Sequence, residues 1–142
     1  MSSLPNQPGD APRMNILLLE DEPLILMDLE FAAEDAGCRA LCASSVGEAL
    51  NLLDAVKPVD AAVLDVTLKD GETCAPVARA LKDRGIPYLL HSGDLDRHNE
   101  LVRDLEAELV AKPASARRVI ALAMQYGGRG EGQNGGRRAA TR

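Results

Sequence analysis

Four short apolar runs in this sequence end in side chains that can do chemistry. ILLL leads into Glu20, Asp21 and Glu22; AAVL leads into Asp65; YLL leads into His91 and Ser92; ELVA leads into Lys112. Carboxylates gathered within a few ångströms repel one another and stay ionised only around a cation. Oxygen donors from Asp and Glu suit Mg²⁺, which keeps waters and takes one or two carboxylates plus phosphate oxygens. Zn²⁺ would want Cys or His, and only His91 sits at such a position. A Mg²⁺ held by Asp21, Asp65 and one backbone carbonyl would screen an incoming phosphoryl group. Asp65 would then attack phosphorus and become an acyl phosphate. The Lys112 ammonium and the Ser92 hydroxyl would hold the remaining phosphoryl oxygens. Such a transfer is mostly positioning and charge neutralisation.

That chemistry needs a scaffold that brings the four places together. Ile25, Leu29, Ala32 and Ala36 recur at helical spacing, with Pro23 suited to the first turn and Gly37 to the position past the end. Cys38–Ala43 reads as a strand. Ser45 and Glu48 form a capping-box pattern ahead of the helical face Ala49, Leu52, Leu53 and Val56. Val59–Leu64 is apolar apart from Asp60, as in a central strand covered on both faces. Glu72–Arg84 reads as a helix stopped by Gly85, and Ile86–Leu90 as a strand. Leu95–Asp104 reads as a weaker helix, Leu109 and Val110 as a short fifth strand, and Ala116–Tyr126 as the last helix. Strands this short joined by helices must run parallel, with right-handed crossovers. The expected fold is α/β: a doubly wound, five-stranded parallel sheet in the flavodoxin-like order 2-1-3-4-5. Its site should lie beyond the carboxyl ends of the strands, near the switch point between the first and third.

Bulk composition agrees and excludes alternatives. The chain has 142 residues, 46% hydrophobic and 2% aromatic, so the core must be aliphatic. Residues 1–13 read as a disordered arm and residues 14–126 as the folded unit. Residues 127–142 hold six glycines and four arginines and read as a flexible tail. The formal net charge of −6 disfavours DNA binding, which draws on clustered Lys and Arg. No segment has the apolar length of a membrane span, and the polar N-terminus does not read as a signal peptide. Cys38, Cys42 and Cys74 form no CxxC pattern and read as small buried groups in a reducing, cytoplasmic setting.

The ordered set of acidic pair, strand-end Asp65, Ser92 and Lys112-Pro113 resembles the receiver domains of bacterial response regulators, the CheY-like group, over residues 14–126. With the short stretch from Leu68 to Glu72, PVARAL and RGIPYLL, it is similar to single-domain response regulators of alphaproteobacteria. The resemblance implies that Glu20 and Asp21 are the acidic metal pair, with Asp21 a direct ligand, and that Asp65 is the phosphoacceptor. It implies that Thr67 ligates the metal through its backbone carbonyl while its side chain tunes dephosphorylation. Ser92 becomes the switch hydroxyl, Lys112 the phosphoryl-binding lysine, and Gly93 the small residue that admits the phosphoryl group. The implied partners are a sensor histidine kinase or a histidine phosphotransfer protein, in a two-component system or phosphorelay. The implied chemistry is the domain's own phosphorylation and dephosphorylation, with no other enzyme activity. The sequence departs from the family pattern where Ser92, Gly93 and Asp94 stand and where Leu109 replaces an aromatic on the fifth strand.

Two other functions use the same scaffold. A pseudo-receiver would bind a protein partner regardless of phosphorylation, and Leu109 motivates that alternative. A Mg²⁺-dependent phosphatase would need a second acid two residues past the nucleophile, where this chain has Thr67. Output through a partner or through phosphate flow is expected, because nothing past residue 126 reads as a DNA-binding module.

Overall fold

In the computed structural model, residues 13–92, 108–112 and 114–140 are described. β1 (Asn15–Leu19) is buried along its whole length, as its unbroken apolar run requires. The chain continues through α1 (Pro23–Asp35), β2 (Arg39–Ala43), α2 (Val46–Ala55) and β3 (Ala61–Asp65). A 3₁₀ turn (Lys69–Gly71) precedes α3 (Ala75–Asp83), then β4 (Tyr88–Ser92), β5 (Glu108–Ala111) and a last helix, α4 (Ala116–Ala140). The five strands form one parallel sheet in the order β2-β1-β3-β4-β5, as expected. The segment read as a helix over 95–104 lies outside the described residues, as do Gly93, Asp94 and Pro113.

Each sheet face buries one aliphatic layer. Leu17, Leu19, Ala62 and Leu64 meet Ala49 and Leu53 of α2 and Val77, Ala78 and Leu81 of α3. Ile16, Leu18, Ala61 and Val63 meet Leu29, Ala32 and Ala33 of α1 and Val119, Ile120 and Ala123 of α4. The strict alternation along β1 and β3 is the period of two that sends successive side chains to opposite faces. Phe31, the single phenylalanine, is exposed on α1.

Local signals decide most element ends. Pro23 opens α1, and Gly37 follows it at φ 85°, a left-handed value that glycine takes without strain. At α2 the Glu48 N–H donates to Ser45 Oγ (3.2 Å), while Glu48 Oε1 accepts from the N–H (2.8 Å) and hydroxyl (3.0 Å) of Ser44. The reciprocal half of the box thus comes from one residue earlier than the usual pattern. Asp60, the one polar residue in the third apolar run, accepts from the Asn15 N–H (2.8 Å), and Asn15 Nδ2 donates to the Pro58 carbonyl (2.7 Å).

Three expectations on element bounds are corrected. α3 begins at Ala75, not Glu72, because Leu68 N–H donates to Glu72 O (2.8 Å) and Cys74 N–H to Val66 O (3.1 Å). Those bonds pair Thr67 with Thr73 in an antiparallel bridge and hold the chain out of the helix until Ala75. β4 begins at Tyr88, one residue after Pro87, whose missing N–H ends the ladder. α4 continues past Tyr126 to Ala140. Within this helix, Gly127 is a packing residue. A Cβ there would stand 2.7 Å from Met14 Cε and 3.0 Å from Asp60 O, so any side chain would force Met14 or the helix to shift.

Candidate functional site

Sheet register assembles the site. Leu19 pairs with Leu64, so the residues one step on, Glu20 and Asp65, emerge side by side at the carboxyl edge. Ser92 pairs with Ala111, and the Lys112 N–H donates to Ser92 O (2.9 Å), which fixes the lysine one step past β5. Glu20, Asp21 and Asp65 each offer a carboxylate oxygen within 4.8 Å of the others. Glu20 is 1% exposed and Asp65 6% exposed. Lys112 Nζ lies 3.1 Å from Glu20 Oε1 and 3.4 Å from Asp65 Oδ1. Residues far apart in sequence therefore meet because three parallel strands end at the same level.

The electrostatics follow from burial. Burial, then the neighbouring Glu20 carboxylate, pushes the Asp65 carboxyl up to about 7 against the pull of Lys112. Burial pulls the Lys112 ammonium down, but Asp65 and Glu20 outweigh it and hold the group above the usual lysine value. Burial, with Lys112 adding, lowers His91 to about 4, so its ring is neutral at pH 7. His91 pairs with Asp65 in register, is 4% exposed, and has no hydrogen-bond partner on either ring nitrogen among the described residues.

Glu20 is unevenly served. Oε2 accepts from the Glu22 N–H at 3.2 Å and from Lys112 Nζ at 3.5 Å. Oε1 sits 3.1 Å from the Lys112 ammonium, yet at angles that make no hydrogen bond. Among the described residues three clustered carboxylates share this one ammonium, an excess of negative charge that a bound cation would balance. Together with an all-oxygen donor set and a carboxyl pushed up by burial and then by Glu20, it fits a hard divalent cation better than a thiophilic one.

Most of the residues singled out in the sequence converge. Glu20, Asp21, Asp65 and Lys112 stand in direct proximity, and Ser92 is buried at the end of β4 next to the Lys112 backbone. Thr67 lies two residues beyond Asp65 on the same side of the strand path, half-buried. Gly93 lies outside the described residues. Cys74 is buried, as expected, but the sequence reading missed its nearness to Asp65, whose charge adds to burial in pushing the thiol up to about 12. It also missed the Thr67–Thr73 bridge. No local pattern announces either, since both depend on how the chain folds back after β3.

No protein-family model matches the chain, and no curated protein matches it. Solved structures do. The chain is 34% identical to SdrG from Sphingomonas melonis Fr1, covering 81% of this chain and 96% of that one, with a TM-score of 0.66. It is 28% identical to a response regulator receiver protein from Sinorhizobium medicae, covering 82% and 95%, with a TM-score of 0.69. A CheY-like response regulator receiver domain protein from Methanospirillum hungatei has the same fold at 22% identity, covering 84% and 98%, with a TM-score of 0.73.

Proposed function

The chain belongs to the CheY-like receiver domains of response regulators, and on that premise we propose that it is a phosphorylation switch whose Asp65 accepts a phosphoryl group. The observation that carries the proposal is the Asp65 carboxylate held within 4.8 Å of Glu20 and Asp21 and 3.4 Å from the Lys112 ammonium. Asp21, Asp65 and the Thr67 carbonyl would hold Mg²⁺, with Glu20 beside them. When bound, the cation neutralises charge on the phosphoryl oxygens and on the carboxylate cluster.

The chain's own groups do the rest. An Asp65 carboxylate oxygen attacks phosphorus of a phosphohistidine on a sensor kinase or a histidine phosphotransfer protein. The new O–P bond forms as the P–N bond breaks, and the electron pair returns to the imidazole nitrogen. The Lys112 ammonium and the Ser92 hydroxyl take the other phosphoryl oxygens. The Thr67 side chain, at the exposed side, sets how water approaches for hydrolysis, and Gly93 leaves room for the phosphoryl group. The domain is not otherwise an enzyme in this reading. Three free cysteines suit a reducing, cytoplasmic setting, and no described helix is long and apolar enough to cross a membrane. A net charge of −6 speaks against direct DNA binding.

The test is intact mass after incubation with a small acyl-phosphate donor and Mg²⁺. The full chain should gain one phosphoryl group, and Asp65→Asn should gain none. A folded wild-type chain with no gain would favour the alternative, a pseudo-receiver that binds its partner without phosphorylation.

A further inference from the structure

We propose that Thr73 is a positioning residue for the Asp65 site, acting through Thr67; the idea rests on the phosphoacceptor reading above. Leu64, Val66 and Leu68 pack into the α2–α3 layer, so Asp65 and Thr67 project to the other side. Thr67 then pairs with Thr73. The bonds that close the bridge run from Leu68 N–H to Glu72 O (2.8 Å) and from Cys74 N–H to Val66 O (3.1 Å). They flank the pair and use neither threonine's own N–H or C=O. That is the non-hydrogen-bonded type of antiparallel pair, with Cα atoms about 4.5 Å apart and side chains close together. The Thr67 backbone carbonyl is therefore directed out of this small ribbon, away from Thr73, as a metal ligand must be.

Thr73 is itself anchored. Its Oγ1 accepts the N–H of Ala75, the first residue of α3, at 3.3 Å. α3 is fixed in turn by the fully buried Val77, Ala78 and Leu81. The chain of support runs from the core through α3, the Thr73 hydroxyl and the cross-strand pair to the Thr67 carbonyl. Cutting it at the hydroxyl should loosen the carbonyl while sparing every carboxylate.

Calorimetric titration with Mg²⁺, paired with hydrogen exchange at the Leu68 amide in metal-free protein, tests this on the full chain. Thr73→Ala and Thr73→Val should weaken Mg²⁺ binding roughly tenfold, the low end for loss of an outer-shell support, and should speed Leu68 exchange. Thr73→Ser keeps the acceptor and should behave as wild type in both. Wild-type affinity in Thr73→Val, or unchanged Leu68 exchange in Thr73→Ala, would overturn the proposal. Failure of wild type to bind Mg²⁺ would instead remove the phosphoacceptor reading, and Leu68 exchange would still decide the role of Thr73.

Discussion

Metal-free Asp65→Asn should be more stable than wild type at pH 8, and the advantage should vanish as the pH falls toward 4. Burial and Glu20 push the Asp65 carboxyl from 3.8 up to about 7 in the folded protein. A raised folded value means that the folded state holds the proton more tightly. Its stabilising contribution is complete below the unfolded value and is lost as the pH rises through about 7. At about 1.4 kcal/mol per pH unit, ionising Asp65 costs the fold up to about 4 kcal/mol. Urea unfolding in chelator across pH 4 to 8 measures it. The sign is informative, because a carboxylate that merely capped a helix would be stabilising when ionised, and its removal would weaken the protein.

Lys112→Met should act in the opposite direction, and by a comparable amount. Among the described residues, Lys112 is the cation that faces both Glu20 (3.1 Å) and Asp65 (3.4 Å). Breaking a buried charge cluster by removing one partner costs about 3–5 kcal/mol. The low end applies here, since the Lys112 side chain keeps 19% of its exposure. The folded lysine value is raised, so its contribution holds at every pH below the usual lysine range and titration of Lys112 does not enter the window from pH 4 to 8. The loss should be largest at pH 8 and should shrink as Asp65 takes its proton. Saturating Mg²⁺ should return much of it, because ligand that binds only the folded state stabilises by mass action. An equal loss at pH 5 and pH 8, unaffected by Mg²⁺, would mean that the lysine matters for packing alone.

The convergence behind these effects is legible in the sequence, because the pattern that brings the groups together is local. Apolar runs of strand length ending in Glu20, Asp65, Ser92 and Lys112 fix both the sheet and the edge at which those residues emerge. The core layers were equally legible, since Val63 and Leu64 alternate between faces as a doubly covered strand must. What escaped depends on contacts distant in sequence. The Thr67–Thr73 bridge is set by how the 3₁₀ turn folds back, and it delays α3 to Ala75. Gly127 looked like a flexibility signal because glycine usually is one, whereas the approach of Met14 and Asp60 makes it a fitted residue. The shift of Asp65 needed the three-dimensional distance to Glu20.

In the proposed switch Asp65 itself carries the phosphoryl group, and borohydride trapping reads that residue directly. An acyl phosphate is reduced to the alcohol, so an aspartyl phosphate becomes homoserine at its own position. After treatment of the full chain with acyl-phosphate donor and Mg²⁺, then borohydride, peptide mapping should find homoserine at position 65 and at no other aspartate. Recovery of unmodified Asp65 with the phosphoryl group on another residue, or no trapped product from a folded chain, would contradict it.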